Sequence, residues 1–123
     1  MDTLEHLNET LVARKGNDPS TSYVASLYQG GVNKIAQKVG EEATEVVLAA
    51  KDAASDADHK PALVAEVADL WFHSLVLLNH LGLGAHDVLE ELQKRTGVSG
   101  RVEKANRAAD KELKDCGQYR DDV

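Results

Sequence analysis

The stretch ALVAEVADLWFHSLVLLNHLG, residues 62–82, constrains the fold more than any other part of the chain. Leu63, Val64, Val67, Leu70, Trp71, Phe72, Leu75, Val76, Leu77 and Leu78 point in most directions around a helix, and a helix apolar all round is expected to be buried. A narrow stripe nevertheless carries Glu66, Asp69, His73 and His80. Glu66 and Asp69, three apart, face the same way. Burying such carboxylates costs several kcal/mol each unless they protonate or find a cation. The sequence thus demands both a helical core and an explanation for charge beside it.

A second helix poses the same demand. In VNKIAQKVGEEATEVVLAAKDA, residues 32–53, an apolar stripe runs through Val32, Ile35, Ala36, Val39, Ala43, Val46, Val47 and Ala50. Glu42 lies at its edge, Glu45 beside it, then Glu41, although like charges three and four apart repel. Lys34 and Lys38 precede them on the same flank. By itself this reads first as a solvated charged face laced with Lys38–Glu41 and Lys38–Glu42 pairs, worth little to stability.

Around these two segments, strand signals are almost absent. A helix is expected over about Thr3–Lys15, with Leu4, Leu7, Leu11 and Val12 on one stripe and GNDPS as its stop. A short helix fits Ser20–Tyr28, broken by Gly30-Gly31, followed by a long one from Val32 to about Ala54. SDADHK reads as a loop, with Pro61 in the first turn of a helix from about Lys60 to Leu81. Gly82 and Gly84 separate this from a helix over about Ala85–Arg95, closed by TGVSG. Residues 101–113 have helical propensity, and the last ten are expected to fray. The fold class is all-α: an antiparallel bundle of four to five helices, its short connections making consecutive helices neighbours. With only five aromatic residues, the core must be Leu, Val and Ala, which suits completion by a second subunit.

Composition narrows the function. A net charge of −7 without a basic patch argues against nucleic-acid binding. Cys116 is the only cysteine, so neither an intrachain disulfide nor a thiolate zinc cage can form. His73, Asn79 and His80 interrupt the longest apolar stretch, so no membrane span is expected, and the chain reads as cytoplasmic.

If the two long helices pack antiparallel, Glu42/Glu45 and Glu66/Asp69 come level, because the arms on either side of the loop are similar in length at about 1.5 Å per residue. Four carboxylates converging in a groove call for a hard cation, Mg²⁺ or alternatively Mn²⁺. His73, on the acidic stripe, reads as a hydrogen-bond partner behind the ligands or as a satisfied core histidine.

The Glu-x-x-Glu at 42–45, followed twenty residues later by Glu-x-x-Asp at 66–69, resembles the all-α nucleoside-triphosphate pyrophosphohydrolases of the MazG type. SYVASLYQGGVNKIAQKVGEEATEVVLAAKD, LVAEVADLWFHSLVLLNHLGL and DVLEELQKRTGVSGRVEKANR narrow this to a resemblance to the phosphoribosyl-ATP pyrophosphatase family of histidine biosynthesis, over roughly residues 2–107, with 108–123 an extension. The resemblance implies a MazG-like fold, homodimers, and Mg²⁺-dependent hydrolysis of phosphoribosyl-ATP to phosphoribosyl-AMP and pyrophosphate. It implies Glu42, Glu45, Glu66 and Asp69 as metal ligands, with Glu41 a further ligand or a base. Either Glu41 or Glu45 would orient or deprotonate the attacking water. Lys34, Lys38 and Lys51 are candidates to hold phosphates, Lys38 most of all because it lies one turn before Glu42. Arg95, Arg101 and Arg107 are candidates for the ribose 5-phosphate. Two alternatives stay open: a house-cleaning pyrophosphohydrolase of other nucleoside triphosphates, and a non-catalytic helical dimerisation module whose acidic stripe is surface.

Overall fold

The computed structural model describes residues 2–96. Among these, all regular structure is helical: α1 Thr3–Ala13, α2 Tyr23–Ser55, a single 3₁₀ turn Ala57–His59, α3 Lys60–His80 and α4 Ala85–Thr96. The expectations placed on TGVSG, on residues 101–113 and on the C-terminal tail lie outside the described residues.

Local chemistry sets the boundaries. Asp2 caps α1 by accepting from the Glu5 amide at 2.8 Å, and Ser22 caps α2 by accepting from the Ala25 amide at 3.2 Å. Pro61 occupies the first turn of α3. At the other end of α3, Gly82 takes φ 81°, its amide bonds Asn79 O at 3.2 Å, and the Leu83 amide reaches Leu78 O at 2.8 Å. This pair of bonds is the Schellman arrangement, which needs a left-handed residue after the cap.

The two helices expected over Ser20–Tyr28 and Val32–Ala54 form one element, so the described residues hold four helices. The anticipated break survives as a bend: Gly31, at φ 81° and ψ −178°, leaves the helical region inside α2. A backbone there is open to glycine and closed to other residues without strain.

A hairpin of α2 and α3, closed by the 3₁₀ turn, forms the body of the fold, and α1 packs on α3. The core comprises Leu11, Val24, Leu27, Ile35, Leu75, Val76 and Ala85, with Leu4, Leu7, Tyr28, Phe72, Leu77 and Leu78 packed around it. Polar pins close this end. Asn79 donates to Asn8 Oδ1 at 3.0 Å and to Leu75 O at 2.9 Å, and the same Asn8 oxygen accepts from the Ala85 amide at 3.0 Å. Lys15 Nζ donates to Asn79 O at 2.7 Å, meeting a carbonyl at the C-terminal end of α3 where a cation is favourable. Tyr28 donates to Leu11 O at 3.1 Å. Residues 86–96 belong to a second unit, within which Glu91 pairs with Arg95 at 2.9 Å.

Burial corrects two expectations. Val12, placed on the inner stripe of α1, is 45% exposed. The α3 helix, expected to be enclosed, is buried only at His73, Leu75, Val76 and Asn79, while Val64 and Trp71 stand 69% and 59% exposed. The reason is supply: among the described residues α2 is the main neighbour of α3, and a single helix cannot cover a surface that is apolar in most directions. Leu63, Val64, Val67, Ala68 and Trp71 line an open apolar trough of about 390 Å³ on the uncovered side.

The expectation that no stretch suits a membrane also needs correction. By length and composition alone, Ala57–His80 does, since it contains an 18-residue stretch of mean hydropathy 1.5. Its polar residues are built into the fold: Asn79 is pinned to Asn8, His73 is bonded on both ring nitrogens, and Glu66 and Asp69 meet a carboxylate of α2.

Candidate metal and phosphate site

The hairpin register decides which acidic residues meet. Glu42, Glu66 and Asp69 each present a carboxylate oxygen, all within 4.8 Å of one another. Glu42 and Glu66 are half-buried and Asp69 is exposed, so the group lies at the rim of the α2–α3 seam. Glu45 does not join this set, and its side chain stands in solvent one turn further along α2. Its charge is still felt. Glu66 is pushed above the ordinary carboxylate value first by desolvation, then by the charges of Asp69, Glu45 and Glu42. A cation placed among these carboxylates would relieve the repulsion that Glu66 experiences.

One cation side chain already does part of this. Lys38 Nζ lies 3.1 Å from Glu41 and 3.6 Å from Glu42. Its amine is held above the ordinary lysine value, chiefly by the Glu41 hydrogen bond and then by the charges of Tyr23, Glu41 and Glu42. Glu41 is exposed and accepts from Gln37 at 3.2 Å. Its carboxyl is held below the ordinary range by the Lys38 hydrogen bond first and the Gln37 bond second. Lys34 and Lys51 are exposed on the same helix, and neither forms an ion pair among the described residues. Of the three arginine candidates, Arg95 lies in the second unit, paired with Glu91, and Arg101 and Arg107 lie outside the described residues.

His73 is buried and bonded at both nitrogens: Nδ1 lies 2.7 Å from Asp69 O, and Nε2 lies 2.8 Å from the Tyr23 hydroxyl. Reading the sequence for acidic stripes and cations left Tyr23 out. It sits fifty residues from His73, and no spacing rule links the start of one helix to the middle of another. The Ser-Tyr at a helix start was visible, but its partner was not.

The donor set suits a hard divalent ion. Three carboxylates without histidine or thiolate match Mg²⁺ or Mn²⁺ rather than Zn²⁺. A second cluster, His86, Asp87 and Glu90 at the start of α4, also brings its donor atoms within 4.8 Å, but its His86 and Glu90 are exposed and it lies in the other unit.

Comparison with known proteins identifies relatives of the whole described region. The family described as phosphoribosyl-ATP pyrophosphohydrolase matches residues 4–96. A curated phosphoribosyl-ATP pyrophosphatase from Hydrogenovibrio crunogenus is 59% identical over 107 residues, which cover 87% of this chain and 94% of that protein.

Proposed function

The chain belongs to the phosphoribosyl-ATP pyrophosphohydrolase family, and we propose that its acidic groove is where phosphoribosyl-ATP is hydrolysed to phosphoribosyl-AMP and pyrophosphate. The enzyme is a hydrolase of histidine biosynthesis. The observation that carries the assignment of the site is the meeting of Glu42 with Glu66 and Asp69 across the hairpin.

Glu42, Glu66 and Asp69 would hold Mg²⁺, or Mn²⁺ in its place, with Glu45 one turn away as the fourth acidic group. An ion held by these residues would offset their crowded negative charge and supply electrostatic stabilisation to the charge that develops on a phosphate leaving group. The chain's own residues divide the remaining work. Lys38 is already drawn to the rim by Glu41 and Glu42, and it transfers part of that contact to a phosphate oxygen when the nucleotide enters. Lys34 and Lys51, exposed along α2, add positive charge for the rest of the phosphate chain. Glu41 has its oxygens engaged by Lys38 and Gln37, which makes it the weaker base. Glu45 stands in solvent beside the group, so it orients the attacking water and takes its proton. His73 fixes the Asp69 turn from behind.

The same reading gives the exposed apolar trough of α3 to a second copy of the chain. A trough bearing Val64 and Trp71 at 69% and 59% exposure on the helix that holds two of the carboxylates leaves the back of the site unsupported in a single chain. The homodimer works in the cytoplasm, without nucleic acid or membrane as partner, and the catalytic domain spans residues 1–107.

The test is pyrophosphate release from phosphoribosyl-ATP with and without Mg²⁺, beside dUTP and dCTP. Release from phosphoribosyl-ATP that needs the cation is expected. Equal turnover of dUTP would move the enzyme to general triphosphate clearance. Cation-independent release would remove the metal site.

A further inference from the structure

The Tyr23–His73 pair has more order than a structural contact needs. A backbone carbonyl only accepts hydrogen bonds, so the 2.7 Å contact between His73 Nδ1 and Asp69 O requires the proton on Nδ1. In the neutral ring Nε2 is then an acceptor, and the Tyr23 hydroxyl 2.8 Å away must donate to it. With its one proton committed, the Tyr23 oxygen keeps only lone pairs for any further partner. That partner must be a donor. A phosphate oxygen is ruled out, and a hydroxyl or an amine is required.

Tyr23 is also placed to meet a ligand. His73 is 6% exposed, whereas Tyr23 is 52% exposed, so one member of the pair is locked and the other faces solvent. The Tyr23 ring is held flat against Phe72, with centroids 6.5 Å apart, and edge-on to His73 at 5.8 Å. Along α3, His73 follows Asp69 by four residues, about 6 Å at 1.5 Å per residue. The pair therefore sits one turn beyond the carboxylates. In a nucleoside triphosphate, the groups one short step from the phosphates are the ribose hydroxyls, and these are donors.

We propose that Tyr23, oriented by His73, accepts a hydrogen bond from a 2′- or 3′-hydroxyl of the ribose that carries the triphosphate, and so fixes where the phosphate chain lies over the acidic group. This rests on the reading of the groove given above. His73 acts through Tyr23 and the Asp69 turn and is a positioning residue, while Tyr23 touches substrate.

The experiment compares wild type and Tyr23→Phe on phosphoribosyl-ATP and on its 2′-deoxy and 3′-deoxy counterparts. Phenylalanine keeps the stacked ring and removes the oxygen. Losing one neutral hydrogen bond should raise KM for the natural substrate up to about tenfold while kcat stays within about threefold. On one of the two deoxy substrates, which lacks the donor already, the variant and the wild type should differ by less than about twofold. A KM for the natural substrate unchanged by Tyr23→Phe overturns the proposal, and so does an equal loss on all three substrates, which marks a structural role. An independent readout is the ¹⁵N spectrum of His73. Nδ1 should show the protonated shift and Nε2 the acceptor shift, the latter moving in Tyr23→Phe. A proton found on Nε2 would make Tyr23 the acceptor of that bond and also overturn the proposal. If wild type does not hydrolyse phosphoribosyl-ATP at all, it is the reading of the groove that fails, and the two failures are thereby distinguished.

Discussion

The two halves of α3 are built to opposite rules. From His73 onward the helix is finished: Leu75 and Val76 are buried, Asn79 is satisfied by Asn8 and by Leu75 O, and Lys15 meets the carbonyl of Asn79. From Pro61 to Trp71 it is unfinished, with Val64 and Trp71 mostly exposed on one side and Glu66 and Asp69 crowded against Glu42 on the other. The finished half stabilises the fold of a single chain. The unfinished half leaves costs that only a cation and a second surface relieve, and that half carries the chemistry. His73 sits at the junction, buried like the finished half and bonded into the unfinished half through the Asp69 carbonyl.

If the halves differ in this way, substitutions should sort by half. The largest effect is expected at the carboxylates: Glu42→Gln and Asp69→Asn should each lower kcat/KM on the order of 10²–10³-fold while leaving the far-UV circular dichroism and thermal midpoint of the apo protein essentially unchanged. Equal losses of stability and activity would erase the distinction. In the core cluster that the finished half shares with α2, Leu27→Ala should destabilise by about 2–5 kcal/mol in urea unfolding, because Leu27 is fully enclosed. Its residual folded fraction should hydrolyse normally.

Trp71→Glu sharpens the comparison from the other side. It puts a charge on a side chain that is 59% exposed in one chain, so the monomer should tolerate it. The loss of buried indole area should weaken self-association at least about tenfold, seen as a shift toward monomer in equilibrium sedimentation. A compact wild-type monomer at micromolar concentration would contradict the dimer directly.

The smallest effect is a pH signature. Glu66 titrates above its ordinary value of 4.5, so as pH rises past that point the native state retains a proton that the unfolded state has lost. Stability of the apo protein should therefore fall slightly as pH rises through the window above 4.5. Glu41, held low by Lys38 and Gln37, acts in the opposite sense below 4.5, where its contribution is lost as pH falls. Thermal midpoints against pH should show the upper decline in wild type, its absence in Glu66→Gln, and its reversal by Mg²⁺.

Much of this was legible before any coordinates. Apart from the join at Gly31, periodicity located the helices and their ends within a few residues, because signals such as Pro61 and Gly82 act locally. The spacing of Glu42/Glu45 and Glu66/Asp69 was enough to predict that Glu42 meets the α3 pair, since a hairpin with arms of similar length has little freedom of register, whereas Glu45, expected with them, stays outside the group. Three things were not legible. Gly31 reads as a stop because sequence shows that the helix cannot pass it unbent, not that a helix resumes at once. Exposure of the apolar face around Val64 was hidden, since an apolar pattern reports what must be covered and not what covers it. The Tyr23–His73 bond joins groups fifty residues apart, and its direction depends on a proton that only the Asp69 carbonyl fixes.

The most direct test of the central claim is a crystal soaked in Mn²⁺ and measured at the manganese edge. The account predicts an anomalous peak between α2 and α3, at coordination distance from Glu42, Glu66 and Asp69. A map with the metal only at His86, Asp87 and Glu90, or with those three carboxylates turned apart into solvent, would contradict it.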